Sequence, residues 1–383
     1  MGSVDGLPQT EGIPIYELQA PKPGVAWETM GFTPSEVNGH IECQYHAKSG
    51  AWGEPVVVAD AHVKVHGLSP SLNYGQQAFE GLRVHRDQSG RIRLFRMAAH
   101  AARFARSTSA VDIPNVPAAL FARAVRLAVA VNSEFVPPFE GGCSMYVRPL
   151  AYAPGPIMNM HAPDHFVFCV FVTPVSRLYS PVGLRALVID DFGRTAPRGT
   201  GAVKVGGNYG ATLPIMHRAR KRGYNLTLHL DSSTNSFIHE FSASGFIGIR
   251  REQDGSHVVV IPKDSDILPS ITVDSTAVIA TSLGWKVERR QIPVTELAEF
   301  SEVFTVGTAS SLVTVREITR ESTGENFQYN VNQNSPDSAC YKLMDRLEGI
   351  KRSIYPEPWG WLETIDQDTL LTDAKGVARK SHD

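Results

Sequence analysis

The run Phe166-Val167-Phe168-Cys169-Val170-Phe171-Val172-Thr173 constrains this chain more than any other segment. It is continuously apolar and rich in β-formers, with no polar alternation, so it reads as a strand covered on both faces. Pro174 is expected to end it. Val56 to Val58 and Ile92 to Phe95 read as short strands. Asn115 and Pro117 open a helix running to about Glu134, with Leu120, Ala124, Leu127 and Val131 along one face. The first half is therefore mixed α and β.

Ser176 to Gly201 mixes Pro, Gly, Arg and Ser, which marks a connection between domains. We expect two domains: a smaller α/β one over 1–178, a connection over 179–198, and a larger one with a C-terminal tail over 199–383. In the second, a helix is expected from about Ala211 to Arg222, stopped by Gly223. Tyr224 to Leu230 alternates like a strand. Phe246 to Ile249 and Val258 to Ile261 read as a hairpin turning at Asp254-Gly255. A helix over Val273 to Leu283 ends at Gly284. Two strands, Val303 to Val306 and Ser311 to Val315, bracket the turn Gly307-Thr308-Ala309. The last helix is expected from Pro336 to about Arg352, behind an N-cap at Ser335.

Charge and apolar content narrow the function. Lys plus Arg is 37 against 39 Asp plus Glu, a net charge of −2, so no global positive field exists to hold nucleic acid or an anionic membrane. No apolar run approaches the length that crosses a bilayer. The 4 cysteines are scattered without CxxC spacing, which speaks against a disulfide framework and for a reducing compartment. No metal is expected: His239-Glu240 begins like HExxH, but Ala243 stands where the second His belongs. Met1 to Gly12 has neither an apolar segment nor Lys or Arg, Gly6 breaks a myristoylation pattern, and Lys380 to Asp383 only loosely resembles a peroxisomal signal. Cytosol is the expected compartment.

Five places can carry chemistry. Lys204 sits in Gly199-Thr200-Gly201-Ala202-Val203-Lys204-Val205-Gly206-Gly207-Asn208-Tyr209-Gly210, whose glycines let the backbone come close to a bound group. It is not a P-loop. Such a Lys can form a Schiff base with a carbonyl; the plainer alternative is a solvated turn lysine. Glu240 is either a surface charge or a carboxylate that holds a proton on a ring nitrogen. Arg103 is either a helix-surface Arg or a phosphate fork. The turn Gly307-Thr308-Ala309 is a plain β-turn or an anion cradle. Tyr146 and Arg148 alternate onto one strand face, as a carboxylate-binding pair or a cross-strand structural pair.

In order along the chain, these strings resemble one family. Leu72-Asn73-Tyr74-Gly75-Gln76-Gln77-Ala78-Phe79-Glu80-Gly81-Leu82-Arg83 resembles the first signature of branched-chain amino-acid aminotransferases. Leu94-Phe95-Arg96 followed by Arg103 is similar to the second block, Tyr146-Val147-Arg148-Pro149 to the third, and Lys204-Val205-Gly206-Gly207-Asn208-Tyr209 to the fourth. Ile267-Leu268-Pro269 and Gly307-Thr308-Ala309 complete the set. The resemblance spans about residues 30 to 350, and it implies fold type IV of the enzymes that use pyridoxal 5′-phosphate (PLP), with the larger domain binding the cofactor.

The resemblance implies roles by position. Lys204 would be the Schiff-base lysine and proton shuttle, Glu240 the partner of the pyridine nitrogen, and Tyr209 the partner of the phenolic oxygen. Arg103, Thr308 and the amides near Ile271 and Thr272 would hold the phosphate. Tyr74, Arg148 and the amides of Thr308 and Ala309 would orient the substrate carboxylate. Phe79 and Tyr146 would line the side-chain pocket, and position 243 would face the substrate. A homodimer would complete each site, with Tyr74 and the loop bearing Met158 and Met160 crossing to the partner. The implied reaction moves an amino group from an aliphatic L-amino acid to 2-oxoglutarate.

The chain also departs from the pattern. Ser242 replaces Gly, Ala243 replaces Thr and Gly245 replaces Asn after Glu240, which removes a hydroxyl and an amide near the substrate. Ser270 and Ile271-Thr272-Val273 replace Gly and Val-Val-Arg. Ser310-Ser311-Leu312-Val313 stands in place of a CxxC, so no thiol switch is expected. A family Tyr falls at Leu178, beside Tyr179. Within the fold the rivals are transaminases for D-amino acids, (R)-amines or specialised precursors, and lyases; the Tyr146-to-Pro149 block favours the branched-chain group. A non-catalytic relative is the reading from another class, and retention of Lys204, Glu240, Tyr209 and Arg103 argues against it.

Overall fold

A computed structural model describes residues 16–176, 178–179, 183–329 and 335–378. The expectations for Met1 to Gly12 and for Lys380 to Asp383 fall outside these residues, as do positions 180–182 of the expected connection.

Two sheets organise the chain. The first takes β1 (His40–His46), β2 (Ala51–Trp52), β3 (Val56–Val58), β4 (Gln77–Phe79), β5 (Leu82–Arg86), β6 (Ile92–Phe95), β7 (Ser144–Tyr152) and β8 (His165–Val175). The second takes β9 (Leu184–Ile189), β10 (Leu226–Leu230), β11 (Ile238–Phe241), β12 (Gly245–Arg251), β13 (His257–Pro262), β14 (Lys286–Arg290), β15 (Glu302–Gly307), β16 (Ser311–Arg320) and β17 (Glu325–Gln328). A final strand, β18 (Leu362–Ile365), returns to the first sheet, so the orders are β18-β6-β5-β7-β8-β1-β2 and β11-β10-β9-β16-β15-β12-β13-β14. The helices are α1 (Pro70–Asn73), α2 (Met97–Ser109), α3 (Ala118–Val131), α4 (Gly207–Gly210), α5 (Leu213–Lys221), α6 (Ile271–Ser282), α7 (Ala339–Lys351) and α8 (Gln367–Ala378).

The apolar run is β8, and both its faces are covered. Phe166, Phe168 and Val170 join the core under α2 and α3, while Val167 and Cys169 pack with Val63 and Val65 on the other side. Phe104, Phe121 and Phe168 meet with ring centroids 5.4 to 5.8 Å apart, an arrangement worth ~0.5–1.5 kcal/mol per pair beyond area burial. The second sheet shows the period of two. Phe246, Val258 and Val260 face one core, and Ile247, Ile249, Val259 and Ile261 face another covered by α6 and α7.

Several boundaries differ from expectation: α6 starts at Ile271 rather than Val273, and β10 at Leu226 rather than Tyr224. β8 runs through Pro174 to Val175. Its neighbour β1 reaches only Val170, so beyond that point β8 is paired on one side, where a missing N–H is tolerated. α3 stops at Val131, and Ser133–Phe135 continues as a single 3₁₀ turn. The N-cap of α7 is Ser338, three residues beyond Ser335. No helix among the described residues is long and apolar enough to cross a membrane.

Candidate active site

A cavity of about 310 Å³ lies between the two sheets. β4 and β7 bring Phe79, Tyr146 and Arg148 to one wall, and α2 adds Arg103. Lys204, Tyr209, Glu240, Ala243, Thr308 and Ala309 come from the other half of the chain.

Lys204 is fixed through its backbone. Its N–H donates to Ser107 Oγ (2.9 Å), its carbonyl accepts from Phe79 N (3.0 Å), and Val205 bridges to Ala78. The glycines permit this close approach: a Cβ on Gly201 would stand 2.5 Å from the Asp266 carbonyl oxygen. The side chain then reaches the cavity, where Nζ donates to Tyr209 Oη at 2.9 Å. The Phe79 ring packs edge-on against Tyr209, and the ammonium lies 4.5 Å from the Phe79 centroid.

Glu240, on β11, is buried. Burial pushes its carboxyl above the ordinary range, against the pull of Arg194. Arg194 donates Nη1 to Glu240 Oε1 and Nε to the Ser242 carbonyl (3.0 Å). Arg103 is also buried, and Glu80 takes its fork: Nε to Oε1 is 2.6 Å and Nη2 to Oε2 is 2.8 Å, while Nη1 donates to the Pro269 carbonyl (3.0 Å). His100 completes the cluster on Glu80 Oε2 at 2.9 Å. Despite burial, Arg103 and His100 hold the Glu80 carboxyl well below the usual range. Sequence reasoning missed Arg194 and Glu80.

Two backbone features face the same space. Ser270 caps α6 by accepting from Val273 N (3.3 Å) and lines the cavity. The first amides of a helix, here Ile271 and Thr272, have no acceptor within it and favour an anion. Ile271 and Thr272 are buried, and neither lines the cavity that Ser270 does. The second feature is the turn from Gly307 to Ala309. Arg148 donates Nη2 to Tyr146 Oη (3.1 Å) and lies over the Phe79 ring. Gly81 makes room for Tyr146, since a Cβ there would meet its hydroxyl at 2.0 Å.

Tyr74 is not in this cavity. It is half exposed, and its hydroxyl donates to the Met158 carbonyl at 3.0 Å. The departures after Glu240 acquire physical reasons. Ser242 turns its hydroxyl away from the cavity, to Thr227 and to His229 Nε2 (2.9 Å). A Cβ on Gly245 would stand 2.6 Å from Val273 Cγ2, so the glycine and the valine that replaces the pattern's Arg meet in space.

The model of class IV amino-transferases matches residues 77–318, which runs from β4 into β16 and encloses every cavity residue named above. The chain is a class IV aminotransferase. A transaminase of Alternaria alternata, AMT5, is 50% identical over 93% of this chain and 96% of its own length. The branched-chain amino acid aminotransferase gloG of Glarea lozoyensis is 46% identical over 93% of this chain and 99% of its own. Among solved structures, the branched-chain amino acid aminotransferase of Escherichia coli superposes with a TM-score of 0.70 at 25% identity, covering 86% of this chain and all of that one. Enzymes of this class use PLP, and this aminotransferase does too. The donor set fits the group: an amine beside a phenol, a buried carboxylate, and a backbone turn from Gly307 to Ala309 that can take an anion.

Proposed function

We propose that this aminotransferase moves the amino group of an aliphatic, branched-chain-type L-amino acid to 2-oxoglutarate. The observation that carries the reading is the Lys204 amine, held 2.9 Å from Tyr209 Oη in a cavity whose side-chain wall is aromatic. Bound PLP supplies a carbonyl that takes up the amino group and a ring that delocalises the electron pair left at the substrate carbon.

The remaining work falls to this chain's residues. Lys204 Nζ would take up and give back the proton at the substrate carbon, with Tyr209 Oη orienting it. Glu240 holds a proton at the ring nitrogen, with Arg194 fixing its position. Arg103, Thr308 and the amides of Ile271 and Thr272 hold the phosphate. Arg148 and the amides of Thr308 and Ala309 orient the substrate carboxylate. Phe79 and Tyr146 receive the side chain, and Ala243 leaves space at the substrate face. Tyr74 joins from the partner in a homodimer, together with the loop bearing Met158 and Met160. The compartment we assign is the cytosol. The resemblance of gloG over nearly the whole chain supports the branched-chain assignment.

The test is a titration of the PLP-loaded enzyme with L-leucine and D-leucine, followed by visible absorption. L-leucine is expected to bleach the band of the bound cofactor and D-leucine to leave it. A band that neither enantiomer moves would sink the donor assignment.

A further inference from the structure

The Ser242 hydroxyl closes a buried polar cluster behind the cavity. It meets Thr227 Oγ1 and His229 Nε2, the latter at 2.9 Å, and those two meet each other at 3.1 Å. With Nε2 accepting, Ser242 donates to the imidazole and accepts from Thr227, so both hydroxyls are satisfied. Burial, and then the nearby Arg194, push the imidazole pKa down to about 3. His229 therefore stays neutral and adds no charge beside that guanidinium. The Ser242 N–H donates as well, to the Thr227 carbonyl at 3.1 Å. Ser242 is thus tied to β10 through its amide and its hydroxyl, where a glycine would keep the amide bond alone.

The remaining polar atom of Ser242 is its carbonyl oxygen, which accepts from Arg194 Nε at 3.0 Å. Arg194 donates Nη1 to Glu240 Oε1, and its guanidinium lies 5.6 Å from the Tyr209 ring centroid. A guanidinium carries its donors in a rigid planar fork, so holding Nε sets the direction of Nη1. Among the described residues, the hydrogen bonds to this carboxylate fall on Oε1, including a long one from Leu268 N at 3.5 Å. In register His229 is the cross-strand partner of Glu240, so β10 and β11 send imidazole and carboxylate to one face. One chain of contacts therefore runs from Thr227 and His229, through Ser242 and Arg194, to a single oxygen of Glu240.

We propose that Ser242, with Thr227 and His229 behind it, is a positioning residue that fixes Arg194 and, through it, the Glu240 carboxylate at the pyridine nitrogen. The inference rests on the reading of Glu240 as the partner of that nitrogen. It gives the serine that stands in place of the pattern's glycine a task on the cofactor, although its hydroxyl points away from the cavity. The low dielectric of the interior raises the stakes, because removing one member leaves the others buried and unpaired.

The experiment reconstitutes the full chain with PLP and with 1-deaza-PLP, in which carbon replaces the ring nitrogen, and measures both dissociation constants by equilibrium dialysis. Wild type is compared with Ser242→Ala, Thr227→Val and Thr227→Ser. Wild type should prefer PLP. Ser242→Ala and Thr227→Val should lower that preference about tenfold, the size of one charge-assisted hydrogen bond. Thr227→Ser, which keeps the hydroxyl, should retain it. A preference unchanged in Ser242→Ala, whether the two affinities hold or fall together, would overturn the positioning role. A loss in Thr227→Ser as large as in Thr227→Val would assign the effect to packing and overturn it too. A wild-type protein without preference for PLP would overturn the reading of Glu240 itself, and the proposal with it.

Discussion

Lys204 and Tyr209 are five positions apart, and the short helix between them brings the amine within 2.9 Å of the hydroxyl. Replacing Lys204 by Ala removes the base from that spot and leaves its backbone bonds to Ser107 and Phe79 in place. Turnover in a coupled transamination assay should fall to background while circular dichroism stays as in wild type; residual turnover near the wild-type rate would refute the assigned role. Lys204, Tyr209, Arg148 and the 307–309 turn were legible because each is written in a short local spacing. Arg194 and Glu80 were not. Their meaning lies in partners 46 and 23 positions away, Glu240 and Arg103; Arg194 has no local pattern that distinguishes it from a surface charge, and Glu80 stands inside the first signature block with nothing local to give it a role. Burial of those partners is what makes them necessary, since an isolated buried charge is far more costly than a paired one.

At the scale of elements, β9 and β16 run parallel with Arg185 in register with Glu317. The pair is bidentate at 2.9 Å in both arms, and the hydrogen bonds from Arg185 lower the Glu317 carboxyl to about 2. A carboxyl depressed on folding stabilises the folded state above its unfolded pKa, and that gain disappears as pH falls through the folded value. Glu317→Gln should therefore cost about 1 kcal/mol in urea unfolding at neutral pH. The difference from wild type should shrink as pH drops below the ordinary glutamate range toward 2; a difference independent of pH would contradict the assignment. Element boundaries were less legible than the elements themselves. Ser335 and Ser338 are equal as caps on sequence grounds. Ser338 is chosen because Glu302, at the start of β15, accepts from Ser338 Oγ (2.7 Å), Ala339 N (2.8 Å) and Cys340 N (3.1 Å). An acid at a helix N-terminus is favourable, but this one arrives from 36 residues upstream.

At the scale of the molecule, one group of exposed apolar side chains lies around α1 and the loop it meets. Leu72 and Tyr74 follow Leu68 around α1, and Met158 and Met160 stand 76% and 88% exposed on the loop that accepts the Tyr74 hydroxyl. Exposed apolar groups in such proximity favour association. If the proposed homodimer uses this loop, Met158→Asp with Met160→Asp should lower the sedimentation coefficient to that of a monomer and weaken donor binding. An unchanged sedimentation coefficient would remove this loop from the interface.

The return of β18 to the first sheet has a further consequence. Its pairing with β6, extended by the Arg96 N–H to the Trp361 carbonyl at 2.7 Å, makes the second sheet an insertion between two parts of the first. Two chain crossings therefore span the walls of the cavity, one between β8 and β9 and one between α7 and β18. A pair of tethers on separate paths resists the wide swing that one linker would allow. Entry to Lys204 is then expected through local movement of surface loops, and cutting the second tether near Pro358 should change the enzyme's mechanics before it changes its chemistry.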